Sequence, residues 1–325
     1  MTAVHDAGPA PLQLAAPWGG TGWVSDLGGP VHWVDYGGPE ADDATQGVPV
    51  VMVHGLGGSH LNWVGLAPEL SEHHHVYAVD QAGFGLTPGT PQSSSVHANA
   101  DLVARFIREV VGSPVVLVGN SMGGMVSLLL AAAHPELVAG LVLVDPSLPV
   151  PRVRPDLAVS ATFLVYATPF LGERYLALMT SRLTDRQRVQ GVVNLCFADP
   201  SRANAQVVDA GVVLAAHRRG VPAQEAAFLG AARSLMKVLA NPRRYHSLIR
   251  GIDRPVLLVH GERDRLVPVA AARAVAAQNP TWTTRFLPGV GHTPQLEVPA
   301  EVLASVGPWL AAHDLTHRAS RTALP

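Results

Sequence analysis

A serine lies in a glycine-rich turn with the pattern G-x-S-x-G. The stretch Gly119-Asn120-Ser121-Met122-Gly123 follows a run of β-branched residues and precedes a long apolar segment of helical composition. A strand, a tight turn and a helix in this order form the context in which the pattern carries a nucleophilic serine. The small flanking residues permit a turn that exposes the Ser121 hydroxyl, and the amide of Met122, at the start of the helix, then faces developing negative charge.

A serine hydroxyl needs a base to remove its proton and a carboxylate to orient that base. His292 follows the last predicted strand, in a loop that can hold an imidazole over the edge of a sheet, and Asp264 follows the preceding predicted strand. The 28 positions between them accommodate one helix and one strand, so both side chains can reach the same edge. We predict Ser121, Asp264 and His292 as the catalytic residues. Glu262 and Asp145 stay open as alternatives for the carboxylate.

A second backbone donor is expected in the loop after an earlier strand. The sequence His54-Gly-Leu-Gly-Gly58 supplies a flexible turn there. We predict an oxyanion hole made by the backbone N–H groups of Leu56 and Met122, with Gly57 as the neighbouring alternative to Leu56. Losing one such donor typically costs about 3 kcal/mol of transition-state stabilisation.

Short β-branched runs alternate with helical patterns along most of the chain. The predicted strands are residues 31–36, 50–54, 75–79, 115–119, 140–144, 256–260 and 283–287. The predicted helices between them are residues 61–71, 96–111, 122–134, 270–278 and 299–313. Several of the strands are apolar throughout, as strands covered on both faces must be. The alternation predicts an α/β fold with a mostly parallel central sheet flanked by helices.

The segment 146–250 breaks this alternation, because it has helical patterns and no convincing strand. A loop of that length is improbable in a compact domain, so we expect an inserted helical cap. The predicted organisation is a flexible N-terminal segment at 1–21, a core in two parts at 22–145 and 251–313, the cap between them at 146–250, and a C-terminal tail at 314–325.

Composition excludes several classes of function. The 325 residues carry a formal net charge of −2, and no basic stripe favours nucleic acid or a membrane surface. Cys196 is the single cysteine, and a buried structural role is expected for it. The consecutive histidines 73–75 alternate in direction and do not predict a metal site. No apolar stretch long enough for a membrane span occurs, so we expect a cytoplasmic protein that uses no cofactor and no metal and acts on a small molecule.

These motifs together resemble the α/β-hydrolase fold family over about residues 22–313. The resemblance rests on the order Ser121, Asp264, His292, on the HGLGG loop, on the Asp80-Gln-Ala-Gly-Phe-Gly85 turn and on the late helical insertion. It implies a serine hydrolase with a helical cap. Epoxide hydrolases and haloalkane dehalogenases of this family carry an aspartate at the elbow, and the serine here argues against both.

The elbow is similar to that of the meta-cleavage-product hydrolases, which cleave a carbon–carbon bond. Those enzymes usually have an HGxGPG-like loop and an aromatic residue after the catalytic histidine, whereas this chain has HGLGG and Thr293. The primary expectation is therefore hydrolysis of a carboxylic ester or related acyl bond through an acyl-enzyme. Carbon–carbon bond hydrolysis, and a ligand-binding receptor on a hydrolase fold, are the alternatives.

The substrate is expected to be small and largely apolar, because aromatic residues recur at helical spacing in the predicted cap. The candidates for substrate binding are Trp63, Phe163, Tyr166, Phe170 and Tyr175. Trp63 is equally explained by packing of its segment onto the sheet.

Overall fold

A nine-stranded sheet forms the centre of the computed structural model, which describes residues 8–39, 47–150, 156–219, 221 and 223–316. The strands are β1 (Gly8–Pro9), β2 (Thr21–Asp26), β3 (Pro30–Asp35), β4 (Val50–Val53), β5 (Val76–Val79), β6 (Val115–Asn120), β7 (Val138–Val144), β8 (Val256–Gly261) and β9 (Thr283–Leu287). Their order across the sheet is β1-β2-β3-β5-β4-β6-β7-β8-β9.

The sheet is parallel from β5 to β9 and antiparallel from β1 to β5. Every residue of β4, β5, β6, β7 and β8 is buried, which explains why these strands are apolar apart from Asn120 and His260 near the ends of β6 and β8. The prediction of an α/β fold with a mostly parallel sheet is confirmed. Since neighbouring parallel strands end at the same edge, the loops after β4, β6, β7 and β8 lie side by side.

Twelve α-helices accompany the sheet in the described residues. They are α1 (Ala67–Leu70), α2 (Val96–Phe106), α3 (Met122–Ala133), α4 (Leu157–Ala167), α5 (Leu171–Arg182), α6 (Asp185–Cys196), α7 (Ala205–Arg218), α8 (Gln224–Leu239), α9 (Pro242–Arg250), α10 (Val269–Gln278), α11 (Pro294–Glu297) and α12 (Pro299–Ala312). Helix α2 continues as a π-helical turn, Ile107–Val111. None of the described helices combines the length and the apolar composition that crossing a bilayer requires.

Two apolar clusters cover the two faces of the sheet. Successive residues of a strand point to opposite faces, so Leu117 joins one cluster and Val116 the other, as do Val51 and Met52 on β4. Full burial of one such side chain contributes about 1.5–3 kcal/mol. The alternation fixes the register of each strand and thereby the height at which each following loop begins.

The chain between β7 and β8 consists of helices α4 to α9, with no strand among its described residues. Within this group α6 packs on α7, and α8 packs on α4 and α5. A helical insertion after β7 therefore replaces the alternation of strands and helices, as the pattern of the sequence predicts. Residues 151–155, 220 and 222, which belong to the predicted cap, lie outside the described residues.

The N-terminal segment differs from the flexible segment expected at 1–21. From residue 8 onward it packs on the sheet: β1 pairs with β2, Ala15 is buried, and the Gln13 side chain binds both the N–H and the C=O of Gly22. A periodic spacing of apolar residues does not show that one glutamine side chain satisfies the backbone polar groups of this segment. Residues 1–7 and 317–325 lie outside the described residues.

Two further elements differ from the predictions. Strand β2, with the sequence TGWVSD, was not expected because its glycine and polar residues hide the alternation. The predicted helix 61–71 is instead a 3₁₀ turn, His60–Trp63, followed by the short α1. Ser59 caps that 3₁₀ turn with a hydrogen bond to the Leu61 amide, and Pro68 begins the next helix.

Candidate active site

Ser121 occupies a strained turn between β6 and α3. Its φ of 53° and ψ of −117° are unfavourable for a residue with a side chain, so the surroundings must hold this conformation. The two motif glycines leave no room for a Cβ atom. A Cβ on Gly119 would lie 2.6 Å from the Gly123 carbonyl oxygen, and one on Gly123 would lie 2.0 Å from the Val53 carbonyl oxygen. The pattern G-x-S-x-G thus brings the first turn of α3 into contact with the end of β4.

Backbone hydrogen bonds hold this turn on both sides. The Ser121 N–H donates to Val144 O at 3.1 Å, and the Ser121 carbonyl accepts from Ser147 N at 2.9 Å and Met125 N at 3.2 Å. The side chain is half-buried, and its hydroxyl lies 3.5 Å from the Ser147 hydroxyl. The structure therefore presents the Ser121 hydroxyl next to the loop that follows β7.

His292 and Asp264 meet at the edge of the sheet beyond β8 and β9. The distance from His292 Nδ1 to Asp264 Oδ2 is 2.7 Å, and both side chains are buried. The other carboxylate oxygen of Asp264 accepts from Leu266 N at 2.8 Å and Val267 N at 3.0 Å. Burial acts to raise the pKa of Asp264, but the charge and hydrogen bond of His292, together with smaller contributions from its neighbours, hold this pKa below its ordinary value.

The two rivals for the carboxylate role occupy different places. Asp145 is buried, and its Oδ1 accepts from Gly261 N at 3.0 Å. Glu262 is paired with Arg273 near the surface. Of the three carboxyl groups, Asp264 is the one that the structure places in a hydrogen bond with His292.

Asn120 connects the elbow to the histidine loop. Its Nδ2 donates to Val144 O at 3.0 Å and to His292 O at 3.1 Å. The His292 N–H donates in turn to Cys196 O at 2.6 Å. In the described chain the Ser121 hydroxyl has its side-chain hydrogen bond with Ser147 and not with His292. Catalytic hydrogen bonds often become short and aligned only when a substrate binds.

The loop after β4 lies directly beside the elbow. A Cβ on Gly55 would lie 3.0 Å from Ser121 Cβ, and Gly57 has a φ of 76°, which favours glycine. The backbone N–H groups of Leu56 and Met122 have no hydrogen-bond partner within the parts of the chain that the structure describes. Two unpaired amides near one serine hydroxyl are an arrangement that can bind an oxyanion.

His54 supports this loop from below. Its Nδ1–H donates to Gly55 O at 2.8 Å, and its Nε2 accepts from Gln81 N at 3.1 Å. Burial lowers the pKa of His54 to about 4, so the imidazole is neutral. The ring therefore holds the loop in shape, and no proton-transfer role is needed to explain it.

Asp80 anchors the far side of the same loop. It accepts from His60 N at 2.6 Å, and its Oδ2 lies 2.7 Å from His32 Nδ1 and 2.9 Å from His60 Nδ1. Leu86 N donates to the same oxygen at 2.8 Å. The buried side chains of His32, His60 and Asp80 carry atoms that could bind a metal ion, and so do those of a second group, Asp145, His260 and Asp264. Around Asp80, hydrogen bonding is sufficient to explain the arrangement.

Aromatic residues of the helical insertion cover the loop. The ring of Tyr166 packs against Phe163, Tyr175 and Phe228, with centroid distances of 6.0, 6.0 and 5.3 Å. Phe228 Cε2 is 3.4 Å from the position that a Cβ on Gly57 would occupy. The cluster thus reaches the predicted oxyanion loop, and its contact residue, Phe228, is absent from the predicted substrate-binding set.

Two predicted substrate-binding residues lie elsewhere. Trp63 is fully buried in one of the two core clusters, and Phe170 is 83% exposed at the corner between α4 and α5. Ser147, which contacts Ser121, was also missed. Its position three residues after the end of a predicted strand was the available signal, but a serine there is common in loops.

The comparisons with known proteins relate this chain to one family. The family model described as alpha/beta hydrolase fold matches residues 48–299. The chain is 26% identical over 309 residues to the dihydrolipoyllysine-residue acetyltransferase component of the acetoin cleaving system of Pseudomonas putida, and the match covers 94% of this chain and 70% of that protein.

Two further relatives carry names of hydrolases. The chain is 25% identical over 283 residues to 2-hydroxy-6-oxo-6-(2'-aminophenyl)hexa-2,4-dienoic acid hydrolase of Metapseudomonas resinovorans, covering 83% of this chain and 87% of that protein. It is 26% identical over 260 residues to pimeloyl-(acyl-carrier protein) methyl ester esterase of Chromobacterium violaceum, covering 77% and 89%. The three relatives have similar identities to this chain, but their names specify different reactions.

Proposed function

We propose that this chain, which belongs to the α/β-hydrolase fold family, is a serine hydrolase that cleaves a carboxylic ester or related acyl bond of a small, largely apolar substrate. Ser121 attacks the carbonyl carbon while His292 accepts the hydroxyl proton. His292 then donates that proton to the leaving group, and a water molecule hydrolyses the acyl-enzyme with the same histidine as base. Asp264 keeps His292 in the tautomer whose Nε2 is free to accept.

The backbone amides of Leu56 and Met122 are proposed to bind the oxyanion. The negative charge develops on the substrate oxygen as Ser121 attacks, and preorganised N–H groups stabilise it without reorganising. The apolar part of the substrate lies under the cluster of Tyr166 and Phe228, in a cap that the insertion after β7 provides.

The observation that carries the proposal is the strained backbone of Ser121. A φ of 53° at a residue with a side chain persists only where the fold enforces it, and such outliers cluster at functional sites. A serine that needed only to cap α3 would adopt extended backbone and accept a hydrogen bond from the helix, but Ser121 makes no such capping bond.

The test is the Ser121→Ala variant, measured on p-nitrophenyl esters of graded chain length. We expect turnover to fall about a millionfold, as for removal of a triad serine in subtilisin. The exposed Ser181→Ala in α5 is the matched control and should keep full turnover. Ester hydrolysis by Ser121→Ala at the wild-type rate would refute the assignment, and a folded wild type without turnover of any substrate would favour the receptor alternative.

Carbon–carbon bond hydrolysis is the second candidate, favoured by the relative of Metapseudomonas resinovorans. The HGLGG loop and Thr293 count against it, and the Asn120 side chain is engaged with Val144 O and His292 O. A vinylogous diketone included in the substrate panel separates the two. A higher kcat/KM for the diketone than for every ester would reverse the order of the candidates.

A further inference from the structure

Two buried carboxyl groups lie together behind His292. Asp145 begins the loop after β7, Asp264 lies in the loop after the neighbouring β8, and neither side chain is exposed. Asp145 Oδ1 is 3.5 Å and Asp264 Oδ2 is 3.6 Å from the same atom, Nε2 of His260. The three side chains bring ligand-type atoms within 4.8 Å of one another. Two carboxylates that lie this close together and are buried from solvent cannot both stay ionised without a nearby positive charge.

His260 does not supply that cation. Its Nε2 lies 2.9 Å from Val267 O and therefore carries the hydrogen, and its buried Nδ1 has no partner in the described chain. Burial lowers the pKa of His260, so the ring is neutral near pH 7. The titratable groups that act on this pair are His260, His292, Cys196 and Glu297. Of these only His292 becomes positive during the proposed reaction.

The hydrogen bonds show which carboxyl group keeps the proton. Asp264 accepts three, from Leu266 N, Val267 N and His292 Nδ1, and donors in this number favour the ionised form. Asp145 accepts one on Oδ1 from the Gly261 amide, while its Oδ2 is buried without a partner. A proton on Oδ2 removes the uncompensated charge and turns the orphaned atom into a donor. Burial, reinforced by the charge of Asp264, raises the pKa of Asp145 well above its ordinary value.

We propose that Asp145 is a neutral carboxylic acid whose Oδ2–H donates a hydrogen bond to the ionised Asp264. In this arrangement Asp145 is a positioning residue, because it acts on His292 only through Asp264. It holds the Asp264 carboxylate charged and aligned on His292 Nδ1, and it presents His292 with one negative charge instead of two. A second ionised carboxylate would stabilise the protonated form of the His292 ring, and that form cannot accept the Ser121 proton.

The protonation state is testable without any assay of activity. The C=O stretch of a protonated carboxyl group is separate from the carboxylate stretches in the infrared spectrum. We expect the wild-type protein at pH 7.5 to show such a band and the isosteric Asp145→Asn variant to lack it. Glu262→Gln, which replaces a carboxylate near the surface at the same edge of the sheet, should keep the band. A wild-type spectrum without the band, or a band that survives in Asp145→Asn, overturns the proposal.

The positioning role rests on the proposed function and is tested by the pH dependence of kcat/KM for a p-nitrophenyl ester. Asparagine has a donor for Asp264, so we expect the acid limb of Asp145→Asn to stay within about 0.3 pH units of wild type. If Asp145 were ionised, the same substitution would remove a negative charge near His292 and lower that limb by about one unit or more. Such a shift contradicts the proposal.

Removing the donor gives the complementary result. Asp145→Ala should lower kcat about tenfold, the effect of one lost charge-assisted hydrogen bond, and move the acid limb to higher pH, while Asp145→Asn restores both. Wild-type kcat and pH profile in a folded Asp145→Ala variant would refute the positioning role. If that variant does not fold, the infrared and Asp145→Asn measurements still decide. Failure of the Ser121→Ala test would refute the hydrolase assignment and leave the infrared result intact.

Discussion

The contact between the elbow and β4 leads to a sharp prediction for Gly123→Ala. Gly123 lies in the first turn of α3, where alanine is intrinsically preferred over glycine by about 1 kcal/mol. Its added Cβ, however, would lie 2.0 Å from Val53 O and 2.5 Å from His54 O, where ordinary contacts begin at 3.4 Å. Both obstacles are backbone atoms of the sheet and its loop, so neither can rotate away.

The magnitude follows from how far the helix must move. Relieving the shorter contact displaces the first turn of α3 by about 1.4 Å, the difference between 3.4 and 2.0 Å, and carries the Ser121 hydroxyl and the Met122 amide with it. A misplacement of about 1 Å at reacting groups costs about a hundredfold in rate. Overpacking costs about 1–3 kcal/mol, which exceeds or cancels the gain in helix propensity.

The assay compares two variants with the same chemical change. Gly191→Ala lies on the exposed side of α6 with nothing within 4 Å of the added Cβ, so it should raise the free energy of unfolding by up to about 1 kcal/mol and leave kcat/KM unchanged. Gly123→Ala should lower kcat/KM for a p-nitrophenyl ester about a hundredfold and should not gain stability. Retention of kcat/KM within threefold, together with a rise in Tm equal to that of Gly191→Ala, would show that the elbow does not need this contact.

Three more predictions concern the groups around the elbow. Asp264→Asn should lower kcat about ten-thousandfold with little change in Tm, because the amide favours the wrong tautomer of His292; kinetics within tenfold of wild type would contradict its role. Phe228→Ala should raise KM for long-chain esters several-fold, whereas Phe170→Ala, at a largely exposed residue, should not change it; the reverse result would show that the substrate lies elsewhere. The buried His54 binds its proton only near pH 4, against about 6.5 in the unfolded chain, so the folded state loses stability as pH falls from 6.5 towards 4. Urea unfolding should show a loss of about 2 kcal/mol between pH 7 and 5, and His54→Gln should reduce it; equal slopes would refute the buried neutral ring.

The parallel part of the fold could be predicted because its residues are buried on both faces. Strands β4 to β8 each contain an apolar run, and α3 is apolar around most of its surface, so the local sequence indicates strand or helix without knowledge of the rest of the chain. Strand β2 lies near the edge of the sheet and has half-exposed residues, which leaves its sequence without a clear period. Segment 61–71 has helical composition, but the cap at Ser59 and Pro68 divide it into two short turns.

Candidate residues of the site could be predicted wherever a chemical group follows a buried strand. Ser121 and Asp264 satisfy that rule, and so do the loops that contain Leu56 and Met122. His292 follows β9, which is exposed over its first three residues, so for His292 the signal was its place after the last strand. Ser147 also follows a buried strand, but a serine in such a loop is too common to single out. Phe228 could not be predicted, because its role depends on which surface of the helical insertion lies over the loop after β4. That packing is set by contacts between residues far apart in sequence, such as Phe228 and Gly57. The sequence of a single helix does not show which distant residues it will contact.

The choice between Asp145 and Asp264 shows what spacing alone cannot decide. Each aspartate follows a strand, and both strands end at the same edge, so either could reach His292 by the rules of an α/β sheet. The pairing of β7 with β8 as neighbours places both carboxyl groups in one buried space, where the energy of like charges forbids two ionised forms. Asp264 has three donors and Asp145 has one, so the difference in their hydrogen bonds assigns the charge to one and the proton to the other. The two residues that compete for one role in the sequence are therefore expected to work as a pair. Asp145→Ala, with Asp145→Asn as its rescue, is the substitution that distinguishes a positioning residue from a carboxyl group without a role.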